Sequence, residues 1–385
     1  MDSRRLHILF ISSWYPNRVK PTLGNFVQKH AEAVSAFAGV SVLHVCYDES
    51  LKKSREVITE QTSENTLTIY IYLRKRRNVF LRFYSYLKAY KDGLNLVKEK
   101  YRTPDVIHAN VLLPVGMVFY FLKCFRNIPH VFTEHWAGYL PEYPQKLPWY
   151  KKYVLKKIIK NADGIIPVTE NLKNAMTALN FKGKYFIVPN VVDTRIFVPG
   201  TGEHTSRKKI LHVSSSDDDQ KNISGTLTAV KILSELRQDF ELHLVIDGGV
   251  DPFAQRAEQL GLLNSFVFFY GTQKTTAVAE MMQQSDFLLL FSNYENFPCV
   301  IAEAMSCGLP VLTTCVGGIA EHVGGGNGIL IEAGDQAALV AQLVRILDTC
   351  RSYDKAGIRA YAEKHFSYEV VGKQFLEIYK QVLCS

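Results

Sequence analysis

The chain has 385 residues, 47% of them hydrophobic, and its 45 Lys and Arg against 37 Asp and Glu give a formal net charge of +8. That length and apolar content suit two ordinary domains with proper cores and exclude a disordered chain. Seven cysteines without a Cys-x-x-Cys pair argue against a disulfide framework and a zinc site, and predict a reducing compartment.

From the N-terminus, Arg4 and Arg5 precede an apolar run at 6–11. The run is too short for a signal peptide, lacks a small-residue cleavage site, and reads as a first buried strand. Further strand-type runs at 40–45, 66–73, 105–109, 130–133, 164–168 and 184–188 alternate with helical stretches, the pattern of a parallel sheet wrapped by helices. The loop 21–26 opens a helix and offers Gly24 for close backbone approach to a ligand, beside an equal reading in which the glycine serves only the turn. Residues 111–122 are uncharged but contain Pro114 and fall short of the roughly 20 residues a spanning helix needs. No membrane-spanning segment is expected. Residues 199–209, with Gly200, Gly202 and a charged cluster, read as a linker.

A second series of strand runs follows at 210–213, 241–246, 266–270, 286–291 and 311–314. The expected class is α/β, with two Rossmann-like domains across a cleft that the strand ends face. The domains expected are 1–198, 199–365, and a terminal amphipathic stretch 366–385 with Phe375, Leu376, Tyr379 and Val382. No Gly-x-Gly-x-x-Gly follows any strand run, which counts against a nicotinamide enzyme.

The densest chemistry lies at 295–321. After the run at 286–291, Ser292, Asn293 and Asn296 supply turn residues, Pro298 starts a helix of about 298–307, and Gly308 with Pro310 stops it. The first amides of that helix, on Cys299 and Val300, have no intrahelical partner and lie at the positive end of the helix dipole, so they favour an anion. Glu303 projects from the same face as Cys299 and Val300, and Glu295 stands in the loop before. Amides for phosphate and carboxylates for hydroxyls describe a sugar-nucleotide pocket, and on spacing alone a surface loop with two solvated glutamates is an equal reading.

The segments Glu295-Asn296-Phe297-Pro298, Glu303-Ala304-Met305, Cys307-Gly308-Leu309-Pro310-Val311 and Gly317-Gly318-Ile319-Ala320-Glu321 closely resemble the retaining glycosyltransferases of the "group 1" family, which carry a Glu-x7-Glu signature and the GT-B fold. The resemblance covers nearly the whole chain. It implies that Glu295 contacts the donor sugar, that the backbone from Phe297 to Val300, Cys299 included, contacts hydroxyls and phosphate, and that Glu303 holds the ribose diol. Pro298 stands where the family most often has glycine, which removes one backbone donor. In the loop 213–222 the resemblance makes Lys221 a clamp for the donor diphosphate, while Ser215 stands where an arginine is common. It places Gly24 over the donor phosphates and His135, in Thr133-Glu134-His135-Trp136, against the donor sugar or the reacting centre, and it has the terminal helix cross back to the first domain. His108 reads as a packed strand residue.

The activity so implied is transfer of a sugar from a nucleotide-sugar to a glycan or lipid-linked acceptor with retention, in surface polysaccharide or glycolipid synthesis. No resident cofactor and no metal are expected, since Asp217–Asp219, the only acidic run in place, reads as a polar loop. Alternatives are a nucleotide-sugar epimerase on the same fold and a non-catalytic glycan- or membrane-binding relative. Basic residues interleaved with aromatics at 74–102 and 146–160 suit an anionic membrane surface, would also attract nucleic acid, and read equally as a solvated helix face; the resemblance to a transferase raises the membrane option over RNA. The expected place is therefore the cytoplasm, peripheral on the inner face of the membrane; the oligomeric state stays open.

Overall fold

The computed structural model describes residues 5–63, 65–201 and 206–384. Arg4 and positions 202–205 of the expected linker lie outside the described residues. The chain divides into two compact units, residues 1–191 with 368–385, and residues 192–367.

The first unit holds a seven-stranded sheet of β1 (His7–Ser12), β2 (Gly39–Tyr47), β3 (Arg55–Ser63), β4 (Thr66–Leu73), β5 (Val106–Asn110), β6 (His130–Glu134) and β7 (Gly164–Pro167), in the order β3-β4-β2-β1-β5-β6-β7. All pairs are parallel except β3 with β4. The second unit holds β8 (Lys208–Ser215), β9 (Phe240–Asp247), β10 (Val267–Tyr270), β11 (Phe287–Leu290), β12 (Val311–Thr314) and β13 (Gly328–Ile331), all parallel, in the order β10-β9-β8-β11-β12-β13. Leaving out β3, both sheets have the doubly wound Rossmann order, which reverses direction between β1 and β5 in one unit and between β8 and β11 in the other. Ligands of such sheets bind beyond the carboxyl ends of the strands at that reversal.

Strand interiors explain the order. β1 is buried along its whole length and β11 reads Phe-Leu-Leu-Leu, as strands covered by helices on both faces must. Each large side chain so buried contributes about 2 kcal/mol.

Four departures from the sequence expectation have local causes. Residues 184–188 form no strand: Ile165 donates to Lys184 and Phe186 to Ile165, but beyond a single bridge at Tyr185 the ladder meets Pro167, which has no N–H to donate. The unanticipated β3 is a largely exposed, mixed-polarity edge strand, and the unanticipated β13 has only four residues. Residues 192–198, assigned by the sequence to the first domain, belong to the second unit. Val192 bridges Ser367, and the carbonyl of the buried Phe197 accepts from Ser306 Oγ at 2.7 Å and Arg359 at 3.1 Å.

The terminal helix Tyr368–Leu383 belongs to the first unit. Its buried face includes Val371, Phe375 and Tyr379, and Gly372 lies so close to the Ala33 carbonyl that a Cβ would collide. Tyr379 Oη also meets His108 Nδ1 at 2.6 Å, while His108 Nε2 meets Thr133 Oγ1 at 2.5 Å, so His108 is a packed strand residue. Among the described residues no helix is long and apolar enough to cross a membrane.

Candidate active site

In the second unit the two strands that flank the sheet reversal each end in a loop, and the loops meet. Beyond β8, Asp217 caps the single turn Asp218–Lys221, accepting from Gln220 N at 3.3 Å, and Asp218 accepts from Ser224 N at 2.9 Å. The acidic run thus secures its own loop. Asn222, at φ +50°, caps the next helix through Gly225 N.

Beyond β11, Asn293 N donates to Gln220 O at 2.8 Å and Asn293 Nδ2 to Asp219 O at 2.9 Å, which fastens the second loop to the first. Glu295, 5% exposed, is then surrounded by donors. Lys221 Nζ pairs with its Oε1, which also accepts from Ser292 Oγ at 3.0 Å, and Gln220 Nε2 reaches Oε2 at 3.2 Å. Ser292 is itself held through its carbonyl by Thr314 Oγ1, at the end of β12, at 2.7 Å. Below the pair, His212 is fixed between Leu289 O and Ser214 Oγ, and burial first, then the nearby Lys221 charge, pushes its pKa down to about 4.

The helix beyond this loop spans Cys299–Ser306, with Pro298 at the N-cap in extended conformation rather than at the first helical position. Proline fits there because its φ of −64° suits the extended entry, and no side chain caps that helix end. The first helical amides are therefore those of Cys299 and Val300, the pair a helix cannot satisfy internally. The other end closes as a Schellman motif: Gly308, at φ +73°, donates to Met305 O at 2.9 Å and Leu309 to Ala304 O at 2.9 Å.

Glu303 is partly exposed on the Cys299 and Val300 face. Beneath it the Cys307 thiol is pushed up to about 12, first by burial and then by the Glu303 charge, which makes it inert. The Phe297 ring is 4.8 Å from His322 and 5.4 Å from Phe366, so it is committed to the core and only the backbone of Phe297 is placed for a ligand. Val300 is also buried and can serve a ligand only through its backbone.

Gly317, at φ +57°, packs so tightly on the Glu295 carbonyl that any Cβ would overlap it, and Gly318 N donates to Asn296 O at 2.8 Å. The glycine pair thus shapes the Glu295 loop from behind. Ser215, the last residue of β8, is exposed and brings no charge to the site.

Of the residues singled out from the sequence, Lys221, Glu295 and Glu303 lie together in this unit with Ser292, expected only as a turn residue, and Gly317, expected only as part of a motif, while Gln220 was not anticipated. Gly24 and His135 lie in the other unit. Gly24 has φ +72°, caps the helix Asn25–Ser35, and abuts the Trp14 carbonyl where a Cβ has no room. Close approach is thus a requirement of the turn itself. His135, just beyond β6, packs with its ring centroid 4.3 Å from that of Phe26, two residues after Gly24, with the planes tilted by 40°, and lies 5.4 Å from His30. Burial, then the neighbouring histidines, holds its pKa well below the usual value, so the ring is neutral at pH 7.

Glu134, which the sequence reading passed over, positions that loop. Its buried carboxylate accepts from Leu112 N at 3.0 Å, His135 N and Trp136 N at 2.9 Å, and Tyr139 Oη at 3.1 Å, while burial raises its pKa against the pull of these donors. A carboxylate closing an apolar strand run next to a histidine was the available signal. Val111, β-branched yet at φ +62°, follows the last residue of β5 in a strained conformation at the same sheet reversal. Between the ends of β1 and β2 lies a cavity of about 300 Å³ lined by Ser13, Asn17, Lys20, His44, Tyr47 and Tyr86, among others. Among the described residues no group of three or more His, Cys, Asp or Glu is placed to hold a metal ion.

Known proteins show the same organisation. The model for glycosyl transferases group 1 matches residues 197–363, and that for Glycosyltransferase Family 4 matches residues 23–196. An uncharacterized glycosyltransferase of Methanocaldococcus jannaschii is 29% identical over 281 residues, 72% of this chain and 73% of the relative. Sucrose-phosphate synthase from Thermosynechococcus elongatus superimposes with a TM-score of 0.78 at 20% identity, covering 99% of this chain and 100% of that one. HepE of Anabaena, in complex with UDP and glucose, gives 0.74 at 18% identity, covering 98% and 100%. With two α/β units of Rossmann order and two family models that together run from residue 23 to residue 363, the chain belongs to the group 1 glycosyltransferases and has the GT-B fold.

Proposed function

We propose that this glycosyltransferase moves a sugar from a nucleotide-sugar to a glycan or lipid-linked acceptor with retention of anomeric configuration, in surface polysaccharide or glycolipid synthesis at the cytoplasmic face of a membrane. The observation that carries this reading is the Lys221–Glu295 pair, set at the sheet reversal before an uncapped helix start that bears Glu303. The binding of UDP and glucose by HepE supports the donor class.

In this reading the donor diphosphate takes Lys221 from Glu295 and accepts hydrogen bonds at the start of the Cys299–Ser306 helix. Glu295, released from its cation, accepts from the hydroxyls of the donor sugar, and Glu303 accepts from the ribose diol. The acceptor oxygen bonds to the anomeric carbon as the bond from that carbon to the diphosphate breaks. The leaving diphosphate oxygen takes the acceptor proton on the same face. Lys221 stabilises the charge that develops there, so that positioning and electrostatics supply most of the acceleration. Neither glutamate acts as nucleophile. In the first unit, neutral His135 serves as a hydrogen-bonding group and the 300 Å³ cavity takes the acceptor.

A panel of sugar nucleotides scored for acceptor-dependent nucleotide release tests the proposal. One donor is expected to be consumed only with acceptor present, giving the retained anomer. Epimerised donor formed without acceptor, or an inverted product, overturns it.

A further inference from the structure

A second cavity in the first unit, of about 250 Å³, lies between the β3–β4 hairpin and the start of the helix Val79–Lys100. Arg55, Arg74, Arg76 and Lys88 contribute to its lining, together with Leu81 and Tyr84. Arg55 is paired with Asp92 at 2.5 Å, but among the described residues Arg74, Arg76 and Lys88 have no carboxylate partner. The cavity therefore holds three uncompensated cations within one small volume.

Its rim is apolar and bare. Phe80 is 85% exposed and Tyr84 65%, and Val79 and Leu81 are exposed beside them. The helix start is not frayed, since Asn78 Oδ1 accepts from Phe80 N at 2.9 Å and Leu81 N at 3.1 Å, so these side chains are displayed from a fixed turn. The first residues of this helix follow β4 at the carboxyl edge of the sheet, the edge on which Gly24 and the 300 Å³ cavity also lie.

We propose that this cavity binds the phosphate headgroup of an anionic phospholipid, with Phe80, Leu81 and Tyr84 entering the adjoining acyl region, and so seats the first unit on a membrane. The proposal rests on the reading above in one respect, that a lipid-linked acceptor would be met at this surface. Cations gathered in a pocket match a phosphate monoester or diester, and the apolar side chains match the hydrocarbon next to it. A nucleic acid would use the cations and find stacking faces on Phe80 and Tyr84, but it would leave the exposed aliphatic Val79 and Leu81 in water, where an acyl region covers them, so RNA is one arm of the test.

The test is co-sedimentation of the full chain with phosphatidylcholine vesicles and with vesicles that also contain phosphatidylglycerol. Binding is expected only with phosphatidylglycerol and is expected to fall with salt. Arg76→Ala with Lys88→Ala should lower partitioning by about fivefold per cation removed. Phe80→Ser with Tyr84→Ser should weaken what binding survives at high salt. Equal binding to both vesicle types, no binding to either, wild-type partitioning by both double variants, or capture of inorganic phosphate or RNA without vesicles overturns the proposal. Nucleoside diphosphate binding, measured on the same samples, keeps the two readings apart. Its persistence without vesicle binding removes the lipid site alone, and its absence with vesicle binding intact removes the donor site alone.

Discussion

Lys221 and Glu295, 74 positions apart in sequence, form an ion pair in which both side chains are largely withdrawn from solvent. Each partner compensates the other before any donor arrives, so the two loops at the sheet reversal are joined in advance. A diphosphate that takes over the lysine leaves a carboxylate oriented by Ser292 and Gln220.

Glu295→Ala leaves Lys221 buried beside no anion. The second unit should lose about 3 kcal/mol of stability, and turnover should fall more than nucleotide affinity because Lys221 remains for the phosphates. Denaturant titration and steady-state kinetics on the same preparation check both parts.

Glu303→Ala removes an acceptor from the helix that would hold the ribose. Nucleotide binding should weaken by about 2 kcal/mol, in the range for a hydrogen bond to a charged group, with little change in melting temperature because the side chain is partly exposed. Calorimetric titration reads the first and thermal melting the second.

Gly317→Ala sets a methyl group against the Glu295 carbonyl at a backbone angle that alanine resists. The variant should lose about 1–3 kcal/mol and much of its transferase activity, although residue 317 carries no functional group. The corresponding change at Gly249, where a Cβ meets nothing within 4 Å, should leave both near wild type.

The loop of Glu295, the helix that carries Glu303 and its glycine stop were legible because each signal is local: turn residues, a proline entry, a Gly308 exit. The pairing of Lys221 with Glu295 was not, since it depends on β8 and β11 lying side by side, and no sequence spacing encodes that. The contact of Gly317 with the Glu295 carbonyl likewise depends on β12 following β11 in the sheet. The expected strand at 184–188 failed for a related reason, because its apolar pattern was sound but its neighbour offered Pro167. Glu134 was passed over because a carboxylate at a strand end usually meets water, and here four donors from three segments close over it.

Acid should destabilise the first unit in a way the histidines define. Burial pushes His30 and His44 down to about 4, below the roughly 6.5 of an unfolded chain, so the unfolded state takes up protons first. Their contribution is complete above pH 6.5 and is lost as pH falls toward 4, by up to about 1.4 kcal/mol per pH unit for each group. Stability measured between pH 7 and 4.5 should fall less steeply in His30→Gln than in wild type; parallel slopes would show that His30 is not buried neutral.

In the proposed reading a nucleotide-sugar binds where the Lys221–Glu295 pair precedes the helix start that bears Glu303. Calorimetric titration of a panel of nucleoside diphosphates into wild type, Lys221→Ala and Glu303→Ala tests it most directly. One nucleotide should bind wild type and bind each variant at least about tenfold more weakly. Wild-type affinity in both variants, or no nucleotide bound by the wild-type protein, would contradict the account.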